Sequence, residues 1–225
     1  MAERELLLGD DAVALAAIHA GISGAYAYPG TPATELFEFI HERAEKAGIH
    51  AFWSANEKVA YEEALGTSFC GRRAIVSMKH VGLNVAADAF VNSAVTGVRG
   101  GLVVCVADDP GMHSSQNEQD SRALAKFALI PCLEPANQQE AYDMTRYAFE
   151  LSEATRLPVM IRLVTRLAHS RADVVTAPPS PQKPLDPATD PMEFTLLPAN
   201  ARVLYRRLTE KQMDLEAREI GRAHV

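Results

Sequence analysis

Residues able to do chemistry gather in a few polar stretches: Gly30, Thr31 and Pro32 in "YPGTPATE", Glu57 in "ANEKVA", Lys79, His80 and Asn84 in "KHVGLN", and His113 and Asn117 in "DDPGMHSSQNEQ". A carboxylate or imidazole can hold or pass a proton, a hydroxyl can hydrogen-bond a ligand, and an ammonium group can receive a carboxylate. Each stretch also has a purely structural account. Thr31 can cap a helix, with Pro32 in its first turn and Gly30 allowing a tight corner. Glu57, next to a capping Asn56, complements a helix N-terminus. An exposed Lys–His pair is often only solvated, and Ser114 and Ser115 suit turns.

Several common chemistries are excluded. The chain has no GxxxxGK[ST], no GxGxxG after an apolar run, and no HExxH or GxSxG. "GDD" at Gly9–Asp11 lacks the third glycine of the GDG magnesium–diphosphate signature, and the downstream Asn is missing. Asp10 or Asp11 is therefore expected to cap a first helix. Cys70, Cys105 and Cys132 are too widely spaced for a disulfide framework or a metal site, and read as buried small hydrophobes.

The elements that must position these groups are legible as alternating apolar runs and amphipathic segments. Strands are expected at Gly24–Pro29, Ile49–Ser54, Ala74–Met78, Gly101–Ala107, Ile130–Glu134 and Leu157–Leu163. Helices are expected near Asp10–Ala20, Pro32–Ala47, Glu57–Cys70, Leu83–Thr96, Gln119–Leu129 and Gln138–Thr155. Leu36, Ile40 and Ala44 recur at helical spacing, and Gly48 supplies a stop. Short connections with helical crossovers predict an α/β fold, a mostly parallel six-stranded sheet with helices on both faces. The polar stretches then all follow strands and share one carboxyl edge, where open α/β sheets bind ligands. "KAGIH", "CGRRA" and "TGVRGG" at the other edge are plain turns.

With 225 residues, 48% of them hydrophobic, the chain can bury a sizeable core. A net charge of −7 without a Lys/Arg run argues against nucleic acid. No window approaches a membrane span and "MAERELLLGDD" is not a signal peptide, so a cytoplasmic protein is expected.

"YPGTPATE", "WSANEKVA", "AIVSMKHVGLNVAAD" and "VVCVADDPGMHSSQNEQDSR", in this order, resemble the alpha subunits of indolepyruvate ferredoxin oxidoreductases. These belong to the thiamine diphosphate-dependent 2-oxoacid:acceptor oxidoreductases. The resemblance runs from about Leu6 to Ser170. It implies a pyrimidine-binding domain over residues 1–173, with Glu57 hydrogen-bonded to N1′ of the cofactor's aminopyrimidine. A carboxylate there stabilises the imino tautomer that serves as the internal base. Thr31, with Gly30 and Pro32, would flank cofactor and 2-oxoacid, Lys79 and His80 would receive the substrate carboxylate or shuttle a proton, and Asn84 would orient their loop. Relatives specific for pyruvate present an Arg after the fourth of these strands. This chain has Asp108 and Asp109, which fits an aryl 2-oxoacid better, unless Arg122 reaches inward.

The resemblance further implies coenzyme A, ferredoxin and a beta subunit as partners, self-association of alpha subunits, and Mg2+ and iron–sulfur clusters held outside this stretch of chain. Six prolines between Pro178 and Pro191 mark 174–200 as a linker, and 201–225 as the helical start of a further region. The final "EIGRAHV" can be encoded by GAG ATC GGA AGA GCA CAC GTC, which looks like a sequencing adapter, so residues 219–225 are expected to be artefactual. Alone, the chain is expected to be inactive. A different class of reading, a noncatalytic α/β module that docks a partner through its carboxyl-edge loops, accounts for the same loops.

Overall fold

The computed structural model describes residues 3–190 and 192–220, without the side chains of 218–220. The elements run β1 (Glu3–Leu8), α1 (Gly9–His19), β2 (Gly24–Ala27), α2 (Thr34–Ala47), β3 (His50–Trp53), α3 (Glu57–Phe69), β4 (Ala74–Lys79) and α4 (His80–Thr96). There follow β5 (Leu102–Asp108), α5 (Ser121–Ala128), β6 (Cys132–Leu133), α6 (Gln138–Thr155), β7 (Val159–Val164), α7 (Thr165–Ala168), β8 (Arg171–Thr176) and α8 (Pro198–Ile220). Six strands form one parallel sheet in the order β3-β2-β4-β5-β7-β6, as the alternating pattern predicts. Every residue of β4 and β5 is buried, because helices cover both faces and leave no solvated side to the central strands.

One apolar cluster lies under α1, α2 and α6, where Leu36, Phe37, Ile40 and Ala44 of α2 face the sheet. The other lies under α3, α4 and α5 around Tyr61, Leu83 and Phe90. Gly48 ends α2 at φ +65°, a left-handed conformation that costs an L side chain energy. Among the cysteines, Cys105 is buried while Cys70 and Cys132 are half-buried, and all three are free thiols.

Several expectations need correction. Thr31 does not cap α2. The N–H of Ala33 donates to Gly30 O, so a turn occupies residues 30–33 and the helix begins only at Thr34. Pro32 accordingly precedes the helix instead of standing in its first turn. Thr34 takes the capping hydroxyl's place differently, with its Oγ1 accepting the Gly30 N–H at 3.0 Å. At α1, Asp11 Oδ2 accepts the Leu8 N–H at 3.2 Å, while Asp10 is turned inward. "KHVG" is not a loop: Lys79 closes β4 and His80 opens α4, which places Asn84 on a helix, exposed.

The ends of the chain also fold differently from the expected pattern. β1 and β8 pair antiparallel as a separate ribbon, so position 173 falls inside a strand and not at its edge. The proline-rich stretch beyond is not an open linker. Gln182 donates to Ala47 O and Gly48 O, Asp186 N donates to Cys70 O, and Arg99 pairs with Asp186 and Glu193. Phe194 stacks on Phe69 at 3.8 Å between centroids. Proline removes backbone donors but not side-chain anchors, and composition does not show where those anchors land. α8 then folds back on α4, burying Leu208 and Leu215. The expected artefactual tail, 219–225, lies outside the described residues beyond 220. Among the described residues no helix is long and apolar enough to cross a membrane.

Candidate functional site

The strand order places a switch point between β2 and β4: the chain leaves β2 toward β3 on one side and returns to β4 on the other. Such a point opens a crevice at the carboxyl edge, because the two following connections diverge. Here the crevice is bordered by the Gly30–Pro32 corner after β2 and by Lys79–His80 after β4. The two borders touch. A Cβ on Gly30 would sit 3.2 Å from Lys79 Cβ, so glycine lets the corner approach this closely. Thr31 stands exposed at the tip of the corner and Pro32 is buried beneath it.

Glu57 enters from the neighbouring connection. Asn56 Oδ1 accepts the Val59 N–H at 3.0 Å, the cap that starts α3 with Glu57 as its first residue. The carboxylate is half-buried, and no group among the described residues hydrogen-bonds it. It lies against the first turn of α4: a Cβ added to Gly82 would come within 2.5 Å of Glu57 Oε1 and 2.6 Å of its Cγ. Two helix N-termini thus flank an unpartnered carboxylate.

The remaining candidates are drawn into a loop. Residues 110–119 fold across the edge, and Lys79 Nζ donates to Ser114 O at 2.9 Å, while His80 Nε2 stands 3.2 Å from both Asn117 O and Oδ1. His80 is buried and its Nδ1 has no hydrogen-bond partner among the described residues. His113 is exposed and stays apart, whereas Asn84, also exposed, lines a cavity of about 290 Å³ with His80, Leu83, Gln119, Asp120 and Ser121.

Asp109 anchors that loop by accepting from Ser114 N at 2.8 Å, Ser115 Oγ at 2.6 Å and Thr165 Oγ1 at 2.7 Å. Burial alone would raise its pKa, but the hydrogen bonds from Ser115, Ser114 and Thr165 outweigh it and hold the carboxyl well below the usual range. A folded-state pKa below the unfolded one stabilises at neutral pH and is lost as the group protonates in acid. Asp109→Asn is therefore expected to lower stability at pH 7, with the difference from wild type shrinking as pH falls below about 4. Urea unfolding of both proteins at pH 7 and pH 3 checks this, and a difference that grows in acid would contradict it.

Asp108 is buried under a separate network, accepting from Ser121 and from Arg162 Nε at 2.6 Å, while Arg162 also pairs with Glu134. Arg122 does not reach inward: it is exposed and held by Asp120 and Glu134. Neither aspartate is thus available to a ligand, and no arginine takes their place at the end of β5. Thr165, Arg162 and Gly82 escaped the sequence reading. The expected helix begins at Leu83, so Gly82 reads as a residue before it and gives no signal; only the structure puts it inside α4.

A family model described as pyruvate flavodoxin/ferredoxin oxidoreductase, thiamine diphosphate-binding, matches residues 15–225. Indolepyruvate oxidoreductase subunit IorA of Thermococcus kodakarensis is 48% identical over 219 residues, 93% of this chain and 33% of that protein. The subunit of the same name from Pyrococcus abyssi is 54% identical over 173 residues, 77% of this chain and 27% of that protein. The chain thus spans about a third of the length of the curated relatives it matches. Among solved structures, a 2-oxoglutarate:ferredoxin oxidoreductase from Magnetococcus marinus, with 2-oxoglutarate, coenzyme A and succinyl-CoA bound, superposes with a TM-score of 0.76 at 19% identity. It covers 95% of this chain and 45% of that one, and shares its fold. With four sequence stretches, a six-stranded parallel sheet and a family match over nearly the whole length in agreement, this chain belongs to the pyruvate flavodoxin/ferredoxin oxidoreductase family, in its thiamine diphosphate-binding region.

Proposed function

We propose that this chain forms the pyrimidine-facing half of a thiamine diphosphate site, in an enzyme that oxidatively decarboxylates indolepyruvate or another aryl 2-oxoacid. The observation that carries this reading is the Glu57 carboxylate, unpartnered among the described residues and flanked by two helix N-termini at the sheet's carboxyl edge. An acceptor with no protein donor fits an aminopyrimidine nitrogen, whose proton it would hold at N1′. When bound, thiamine diphosphate would supply a nucleophilic thiazolium carbon and, in the positively charged ring, the sink for the electron pair left by loss of CO2.

The chain's own groups then have distinct tasks. Thr31, exposed on the corner, offers a hydroxyl to the 2-oxoacid, while Gly30 and Pro32 set its place. Lys79 commits one of its N–H donors to Ser114 and keeps others for a carboxylate. His80, with Nδ1 unpartnered, can carry a proton between the loop and the site. Asn84 borders the cavity beside them. Mg2+, the diphosphate anchor, the iron–sulfur clusters that pass electrons to ferredoxin, and the coenzyme A that takes the acyl group belong in this reading to other parts of the enzyme, including a beta subunit. Alpha subunits would associate with one another, in the cytoplasm. An aryl substrate is supported by the relatives' names and by the engagement of Asp108 and Asp109 inside the protein.

The test pairs this chain with the diphosphate-binding remainder of a close relative and compares indolepyruvate with short-chain 2-oxoacids in the reduction of ferredoxin or a viologen. Faster turnover of the aryl substrates is expected. Equal or greater turnover of pyruvate or 2-oxoglutarate would replace the substrate assignment, and the absence of both cofactor binding and turnover would favour a partner-docking module. In the same assay Gly82→Ala is expected to lower the rate about 100-fold, because a displacement near 1 Å at a reacting group has that effect. Stability should hold, since alanine is the better helix former by about 1 kcal/mol and the flexible Glu57 side chain can move aside. An unchanged rate would mean that Glu57 need not stand where Gly82 lets it.

A further inference from the structure

Outside the crevice, three donor groups converge without any role in the reading above. Asp10 comes from the first turn of α1, Glu35 from the first turn of α2 after the Thr31 corner, and His169 from the end of α7. One ligand atom from each lies within 4.8 Å of the other two. Asp10 is wholly buried, and neither of its carboxylate oxygens has a hydrogen-bond partner among the described residues. The Glu35 Oε2 atom is likewise buried and has no hydrogen-bond partner among the described residues. Buried carboxylates left this way are costly, so the arrangement calls for a cation between them.

We propose that Asp10, Glu35 and His169 bind one divalent transition-metal ion of the Zn2+ class.

Geometry favours a metal over a direct His–Glu hydrogen bond. His169 Nε2 stands 3.6 Å from Glu35 Oε2, beyond hydrogen-bond reach. It is close to the edge of a tetrahedron with bonds of about 2.1 Å, which is roughly 3.4 Å. The backbone brings the third ligand, Asp10, to His169. A Cβ on Gly9 would lie 2.3 Å from Leu167 O, so α1 and α7 meet backbone to backbone and carry Asp10 and His169 toward each other. One imidazole with two carboxylates suits Zn2+ or a similar ion, whereas Ca2+ and Mg2+ favour all-oxygen shells. Glu35 and His169 side chains are each 37% exposed, which gives an entry path and room for water as a fourth ligand. The ion would tie α1, α2 and α7 together at the edge that carries the Thr31 corner.

The untagged chain, stripped by a chelator, would be titrated with Zn2+ by calorimetry, and its thermal unfolding followed with and without the ion. Saturable binding of one ion per chain and a raised Tm are expected. Asp10→Asn and His169→Ala should each weaken binding by more than about 100-fold, since loss of supporting contacts alone weakens metal sites by 10- to 100-fold. Absence of saturable binding, or binding that either variant leaves unchanged, overturns the three-ligand site. A Zn2+-insensitive wild type that is less stable than Asp10→Asn also overturns it, and assigns Asp10 and Glu35 to a shared proton.

Discussion

Glu57→Gln is expected to lower 2-oxoacid-dependent acceptor reduction by about 10²- to 10⁴-fold in the reassembled enzyme, the usual range for loss of a positioned proton-transfer group. Glutamine keeps the length and shape of the side chain but cannot hold the proton at N1′ as a carboxylate does. The fold should be indifferent. No group among the described residues depends on this carboxylate, and Asn56, not Glu57, caps α3. Loss of a negative charge at a partly buried helix start costs at most about 2 kcal/mol. Thiamine diphosphate binding, measured separately, should survive while turnover collapses. Equal turnover in both proteins would remove Glu57 from the chemistry and leave the first turn of α3 with a dipole role only.

The largest effect on stability is expected at Arg162. Its Nε donates to Asp108 at 2.6 Å, with side-chain exposures of 7% and 0%. Arg162→Met strips the cation from a fully buried carboxylate, and breaking such a pair costs about 3–5 kcal/mol. The outer members, Glu134 and Asp120, are 41% and 49% exposed and add little through solvent. Urea unfolding should therefore show a large loss for Arg162→Met and a loss under about 1 kcal/mol for the exposed Arg122→Ala. The double variant Asp108→Asn with Arg162→Met should recover part of the loss, because no bare charge remains. Similar stability in Arg162→Met and wild type would mean that Asp108 is not held by this pair.

The contrast between these two residues also separates what the sequence carries from what it hides. Strand and helix periods depend on neighbours along the chain, so the six sheet strands and their crossover helices were legible from alternating apolar runs alone. So was the sharing of one edge by the polar stretches, since a crossover between parallel strands returns each connection to the same side. Asn56 as the cap of α3 followed from a local donor–acceptor need. Thr31 as a cap failed for a local reason as well: a turn at Gly30–Ala33 competed with the helix and won.

By itself, then, the sequence determined the α/β class, the carboxyl-edge location and the residues at its loops. Tertiary structure decided the strand order, and with it the switch point that sets the Gly30 corner against Lys79. It also decided that Asp108 and Asp109 face inward, that Gly82 makes room for Glu57, that Asp10 meets Glu35 and His169, and that the proline-rich stretch lies against the domain. These are contacts between residues far apart in the chain. A residue's type and its neighbours specify what it can bond to, whereas which partner it meets depends on how the whole sheet and its covering helices pack.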